Sequence, residues 1–596
     1  MSASRLFLAA LLCFCSSAGA SIASDDDSAN QRLAELKPLD PLVLDLTSPT
    51  TTIVSPALPA YEPIARKLAD ALDKTTGRRP ALLPDTAPAE DLGPGPLISL
   101  GNLMDSQLGR RLYLDAYDFT DYAWPSSGGH VVRSVRDPLQ TGAHVLVVGG
   151  SDAAGVADAA DELAGLVRSH GGRLGYVNRV KLGRLAGDIQ RYTEGLLADD
   201  IRKWNRVGGS GSWDHQIAIA KAAIGYLRTA DEDYLAGFGS ELRYWFDHDV
   251  FHPGSEAKPM LHGFLHPILT AWDLVADHPS FSPDQRRRID ADFLAAFRSP
   301  EGPDRIAGES RRRAVRSNHS TRTGLDAFFG GRYFDRRYRI EDGRRWLAIA
   351  DAMFAPMLES AKPGEDSWGH QWASSLFNTV VYGLAARGDR VLSSPALKQA
   401  ADRALIAHPY ASPPFVYLAA CAVATGDSGY LSSFPEADLA RRGAGMHGQG
   451  DEYLRSFVTG RPVVPRQDLL GVAVAPLAPL WYETYENGPK GDGFFVINQP
   501  LDACFDKVSI REGWGPDDFY LLLDGISGGV HAYQDANCIV RLADHGVQWL
   551  AGTYRETASA TVRNENGVFV ALDAAGPGQV HRYARRLYAG EAGKAA

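Results

Sequence analysis

The sequence predicts a multidomain α+β protein: a small N-terminal α/β domain, an (α/α) toroid of helix pairs, and a C-terminal antiparallel β-sandwich. Three observations support this fold class. Strand and helix patterns alternate up to about residue 185, amphipathic helical segments follow up to about residue 480, and strand patterns dominate the remainder. A chain of 596 residues is also too long for a single hydrophobic core.

The first twenty residues are typical of a secretory signal peptide. Arg5 precedes an apolar run, and small residues ending at Ala20 follow it, which predicts cleavage after Ala20. We therefore expect a secreted or periplasmic protein. Residues 21–40 are polar and acidic, and we expect them to form a disordered leader.

Charge, hydropathy and cysteine content exclude several classes of protein. A formal net charge of −11 disfavours binding to nucleic acid. No apolar run after the leader is long enough to cross a bilayer, so we expect no membrane insertion. Cleavage would leave Cys421, Cys504 and Cys538, which are too few for a disulfide framework. The oligomeric state stays open.

Changes of pattern place the domain boundaries. Residues 41–185 alternate strands with two helices, at 64–72 and 153–167, and predict the α/β accessory domain. Residues 190–480 carry many amphipathic helices without an exact repeat, which predicts the toroid. Residues 485–596 predict the β-sandwich.

The segment from Phe519 to Tyr554 is the most informative in the chain. Apolar and β-branched runs at 519–523, 539–542 and 547–550 predict consecutive strands. Gly528 and Gly529 introduce a turn that carries His531. We expect the sheet to hold this histidine rigidly.

A basic cluster interrupts an otherwise acidic helical region. Residues 311–322 contain Arg316 and Arg322 around the pair Asn318-His319. An amide, an imidazole and guanidinium groups together suit a carboxylate or a sulfate. The alternative is an ordinary solvated face of arginines.

Two further groups carry candidate chemistry in the helical region. His370 follows two acidic residues and is a candidate acid or base, although a histidine that only hydrogen-bonds near a helix start fits equally well. Tyr453 lies on a glycine-rich loop that also carries His447. Tryptophans that suit sugar rings crowd the predicted loops, with core packing as the alternative: Trp204, Trp213, Trp245, Trp272, Trp368 and Trp372.

Metal binding has little support in the sequence. His531, Asp535 and His545 lie near one another, but no H-E-x-x-H or paired Cys-x-x-Cys spacing accompanies them. We predict no metal ligands and no cofactor.

Taken together, the order of segments and their motifs resemble the heparinase II/III-like polysaccharide lyases. Asn318-His319 resembles the pair with which that family holds a uronate carboxylate, and His531 stands at its active-site histidine. This chain has Tyr533 where the family commonly has a metal-binding histidine, and Ser375 or a neighbour where it has a catalytic tyrosine. His370, Tyr453 and Tyr533 are the candidate substitutes.

The resemblance implies β-elimination on an acidic polysaccharide or oligosaccharide that contains uronic acid. The implied catalytic residues are Asn318, His319, His370, His531 and Tyr533. The implied substrate-binding residues are Arg316, Arg322, Trp213, Trp368, Trp372 and Tyr453.

Two other functions remain open from the sequence. A homologue that lost the chemistry would bind carbohydrate without cleaving it. A glycoside hydrolase on the same toroid would use carboxylates such as Asp214, Asp366 or Asp451 as acid and base.

Overall fold

The computed structural model describes residues 33–183 apart from 34, 122 and 123, followed by 213–250, 265–308, 318–359 and 376–408. It also describes residue 418, residues 421–422, 427–432, 463–477, 500–525 and 538–551. The predicted signal peptide and the end of the predicted sandwich lie outside these ranges.

The first part of the chain forms a six-stranded mixed sheet in the order β3-β2-β4-β6-β5-β8. Its strands are β2 (Thr52–Ser55), β3 (Ala81–Pro84), β4 (Leu97–Gly101), β5 (His130–Val135), β6 (Val145–Gly150) and β8 (Asn178–Lys181). A separate two-stranded pair joins β1 (Leu44–Asp45) to β7 (Arg173–Leu174). Strands β2, β3, β4 and β6 are parallel, whereas β5 is antiparallel to both of its neighbours.

Both faces of the six-stranded sheet are covered. Helices α1 (Glu62–Thr76) and α3 (Ala153–His170) pack on one face, where Leu68 and Leu163 are fully buried. The other face shares a core with α2 (Gln107–Leu114) and with the helices that follow. Burial on both faces explains why β4 and β6 are continuous apolar runs rather than alternating ones.

Eight more helices, arranged in hairpins, follow among the residues that the structure describes. They are α4 (Trp213–Thr229), α5 (Glu232–Tyr244), α6 (Leu265–Val275), α7 (Pro283–Phe297), α8 (Asn318–Tyr338), α9 (Glu341–Leu358), α10 (Phe377–Arg387) and α11 (Pro395–Ala407). A π-helical segment, Trp245–Val250, continues α5. None of the described helices is long and apolar enough to span a membrane.

Local chemistry sets the hairpin turns. Ala230 and Arg339 both adopt a left-handed φ of 56° in the short turns after α4 and α8. Ser282 and Gln285 form a reciprocal capping box that starts α7. Helices α8 and α9 approach closely because Gly331 and Gly343 face each other, and a Cβ on Gly331 would lie 2.7 Å from the Gly343 carbonyl oxygen.

A five-stranded antiparallel meander closes the described part of the chain, in the order β13-β12-β11-β10-β9. Its strands are β9 (Gly471–Pro476), β10 (Phe505–Arg511), β11 (Tyr520–Asp524), β12 (Cys538–Asp544) and β13 (Val547–Ala551). One sheet is one layer, so the two-layer sandwich stays a prediction, as does closure of the helices into a toroid.

Several sequence expectations need correction. The predicted disordered leader ends before residue 40, because Leu36 is buried and Glu35 pairs with Arg298 at 2.8 Å. Trp245 and Trp272 are buried in the helical core rather than in loops. The sequence pattern predicts helices across residues 190–480 but does not set the bounds of α8.

The cysteines Cys421, Cys504 and Cys538 are all buried.

Candidate functional site

Helices α4, α6, α8 and α10 lie side by side and run in the same direction, and we call them the inner row. Residue numbers rise together along neighbouring helices wherever two contacts can be compared. Between α6 and α8, His266 contacts Asp326 and Asp273 contacts Arg337. Between α8 and α10, Thr321 contacts Asn378 and Phe328 contacts Tyr382. Tyr226, near the end of α4, packs edge-on against His278, just after α6, with ring centroids 5.5 Å apart. The amino-terminal ends of these helices therefore face the same side.

Helices α7 and α9 pair with the inner row from outside. Helix α9 runs antiparallel to α8, because Gly324 approaches Met353 whereas Gly331 approaches Leu347. Helix α10 also runs antiparallel to α9, because Thr379 near the start of α10 contacts Met357 near the end of α9. Since an inner helix is followed by an outer one of opposite direction, the long connections lie at the amino-terminal side of the inner row.

The predicted residues within the described ranges lie at these amino-terminal ends. Asn318 and His319 open α8, and Trp213 opens α4. The structure does not describe these three side chains. Arg322 lies one turn further along α8 and is only 6 % exposed, so it does not belong to a solvated face.

The other predicted site residues lie outside the described residues. They are Arg316, Trp368, His370, Trp372, Tyr453, His531 and Tyr533. The strands that flank His531 are described, and Asp524 at the end of β11 pairs with Cys538 at the start of β12. The histidine is therefore carried by a connection whose two ends are fixed in the sheet.

A buried charge cluster anchors this part of the sheet. The Lys507 ammonium contacts Asp506 at 2.9 Å and Asp524 at 2.6 Å, and Arg403 on α11 contacts Asp506 at 3.1 Å. All four side chains are buried. Opposite charges out of water fix the end of β11 against α11.

The inner row also contains a histidine–aspartate pair that the sequence did not single out. The Nδ1 atom of His266, at the start of α6, lies 2.9 Å from Asp326 Oδ1 on α8. The same oxygen accepts the backbone N–H of His266 at 2.8 Å. The imidazole stacks on Phe329 with ring centroids 5.5 Å apart. The ring is thus held in one position and one orientation.

Two further polar groups lie near the amino-terminal ends. Gln216, in the first turn of α4, is 1 % exposed, and its amide has no hydrogen-bond partner among the described residues. Asn378 on α10 donates to the Thr321 hydroxyl at 2.9 Å. Leaving a buried amide unbonded costs free energy, so such groups occur where something other than stability is served.

The carboxyl-terminal half of α8 packs against the N-terminal layer. Arg332 donates to the carbonyl of Asp115 at 2.8 Å and lies over the rings of Tyr117 and Phe329 at 4.7 and 4.9 Å. Arg336 donates to the carbonyl of Arg136. Since Phe329 also stacks on His266, this packed layer ends directly beneath the histidine–aspartate pair.

Only weak signs in the sequence pointed to these additional residues. His266 and Asp326 lie 60 positions apart in the sequence, so no local pattern pairs them. Asp326 lies eight residues after Asn318, and residues four positions apart lie near one another on the same side of a helix. Nothing in the local sequence marks Gln216 as unusual.

Comparison with known proteins yields little. No family model matches the sequence, and no curated protein matches it. Among solved structures, the chain is similar to heparinase III with 11 % identity and a TM-score of 0.32, covering 56 % of this chain and 49 % of that one. It is also similar to a mutant of heparan sulfate lyase HepC from Pedobacter heparinus, with 15 % identity, a TM-score of 0.32, and coverage of 61 % and 50 %. The chain thus spans about half the length of these structures, and likenesses at this level assign neither a family nor a function.

Proposed function

We propose that this protein is a secreted polysaccharide lyase that cleaves a uronic-acid-containing polymer by β-elimination. The observation that carries the proposal is the position of Asn318 and His319, which open an inner helix beside the opening turns of three parallel neighbours. The amino-terminal end of a helix carries positive partial charge, and an amide and an imidazole there add hydrogen-bond donors. This combination suits the carboxylate of an acidic sugar.

The chemistry requires that carboxylate to be neutralised. A base removes the C5 proton, negative charge develops on the adjacent carboxylate, and the C4–O bond breaks to leave an unsaturated sugar. Donors already in place lower the barrier because they need no reorganisation as the charge develops. Asn318, His319 and Arg322 take this role in the proposal.

The placement of the C-terminal sheet favours a shared site. Tyr520 on β11 donates to the carbonyl of Ile406 at 2.8 Å, and Arg511 donates to that of His408 at 2.6 Å, so the sheet packs on the end of α11. If the helices continue to alternate in direction, this end of α11 lies on the amino-terminal side of the inner row, and the sheet then borders the proposed site.

The test is a screen of the purified protein against alginate, heparan sulfate, chondroitin, hyaluronan and ulvan, with ultraviolet absorbance of the unsaturated product as the readout. We expect one polymer to give product, and Asn318→Ala to lower kcat/KM by at least about 100-fold. Arg344→Ala, on the exposed outer helix α9, is the control and should retain activity. Saturated reducing ends would indicate a hydrolase instead, and binding without product would indicate a carbohydrate-binding protein.

A further inference from the structure

The geometry around His266 points to a catalytic base, and we propose that His266, oriented by Asp326, exchanges the proton with the sugar. This inference rests on the proposed lyase function. His266 would supply the base that this chain otherwise lacks, because another residue stands where the family resemblance leads us to expect a catalytic tyrosine. Both residues lie on the inner row, on helices α6 and α8.

The hydrogen-bond pattern selects the form of the imidazole. A carboxylate oxygen only accepts hydrogen bonds, so the contact of Asp326 with Nδ1 places the ring hydrogen on that nitrogen. The lone pair of the neutral ring then lies on Nε2. A base held by a carboxylate in this manner is the arrangement that general-base catalysis requires.

The second nitrogen of the ring takes no part in the contact with Asp326. The His266 side chain is 11 % exposed, and among the described residues the ring is hydrogen-bonded through Nδ1 only. Asp326 already caps the start of α6 by accepting a hydrogen bond from the backbone N–H of His266. If Asp326 had only this structural role, it would not need to contact the imidazole as well. The ring contact with Asp326 goes beyond this and fixes the orientation of Nε2.

Distances along α8 identify the group that accompanies this base. Arg322 lies four residues before Asp326, about 6 Å along the helix axis, whereas Asn318 lies about 12 Å away. A carboxylate one bond from C5 must lie close to the base. Arg322 is therefore, among the residues proposed to hold that carboxylate, the one that lies nearest to Asp326 along α8.

The proton transfer balances without a co-reactant. Nε2 takes the C5 proton, and the electrons of the C5–H bond form the C4=C5 double bond. The C4–O bond breaks, and its electron pair stays on the departing oxygen. The imidazolium returns its proton to that oxygen, so His266 ends neutral and no water is consumed.

The experiment uses the full chain on the polymer that the wild type cleaves. We expect His266→Ala to lower kcat by at least about 100-fold with Tm nearly unchanged, and added imidazole to restore part of the rate. Asp326→Asn should lower kcat with little change in KM and no response to imidazole. His278→Ala is the matched control, since His278 lies just after the same helix and pairs with Glu232 at 3.3 Å.

The outcomes separate the two proposals. Wild-type protein without unsaturated product overturns the lyase function and this inference with it. An active wild type together with an active His266→Ala overturns the inference alone, and so does a loss that imidazole cannot restore. Should the alanine variant fail to fold, His266→Gln keeps a donor for Asp326 but offers no base, and retained activity in that variant overturns the inference.

Discussion

The two ends of the inner row bury different kinds of polar group. At the carboxyl-terminal end, Asp273 contacts Arg336 and also Arg337, the latter at 2.7 Å, and the three side chains are only 2–6 % exposed. At the amino-terminal end, Gln216 has no partner within the described ranges, and His266 bonds through one nitrogen only. The first end pairs its carboxylates with guanidinium groups and joins layers together, although single atoms such as Arg336 Nε have no hydrogen-bond partner among the described residues there either. The second end buries a neutral amide that forms no hydrogen bond within the described residues, which fits a place where a ligand binds.

Electrostatics at the carboxyl-terminal end support a structural role. Burial by itself would raise the pKa of Asp277, but a hydrogen bond from Arg136 and the charges of Arg337 and Arg286 lower it to about 2. Arg136 belongs to the N-terminal layer and contacts Asp277 at 2.6 and 2.8 Å. The carboxylate therefore joins that layer to the helices.

The largest stability effect should come from Asp273→Asn. The change leaves two buried guanidinium groups without their carboxylate, and we expect the free energy of unfolding to fall by about 3–5 kcal/mol in denaturant titrations. Asp335→Asn is the control, because its partners Arg339 and Arg344 are mostly exposed, and it should cost no more than about 1 kcal/mol. Equal losses in both variants would contradict a special structural role for the buried ion pairs at this end.

Acid should weaken the same end through Asp277. The pKa falls from 3.8 in the unfolded chain to about 2 in the folded protein, so the contribution is present above about pH 4 and is lost as the pH falls through 2. Its size is about 2 kcal/mol. Free energies of unfolding for the wild type and Asp277→Asn, measured from about pH 5 downward, should converge by this amount. A constant difference would contradict the assignment.

The smallest effect on the free energy of unfolding should come from Gln216→Met, and it should be an increase. Replacing a buried amide that has no partner by an apolar side chain of similar size should raise the free energy of unfolding by about 1 kcal/mol. Activity on the cleaved polymer should fall if the amide serves the ligand. Gln285→Met is the control, since the Gln285 side chain accepts from the backbone of Ser282 at 2.8 Å, and it should destabilise. If both variants are destabilised, the Gln216 amide makes a stabilising contact and the prediction is wrong.

Elements with clear periodicity could be predicted from the sequence. The helix predicted at 153–167 and the strands predicted at 519–523, 539–542 and 547–550 match α3, β11, β12 and β13 closely. The bounds of α8 could not be predicted, because this helix is packed by neighbours on several sides. Gly330 meets Phe297 and Gly324 meets Met353 and Phe354, so no single apolar stripe shows in its sequence.

The sequence by itself determined the order of strand and helix segments, the candidate polar residues at 318–322, and an acidic chain with few cysteines, because these depend on local pattern and composition. Only the tertiary structure decided that His266 meets Asp326 and that Arg322 is buried. Contacts between residues far apart in the chain depend on how helices pack, and packing leaves no local trace in the sequence. The pairing of those side chains is what turns a basic cluster into a candidate site.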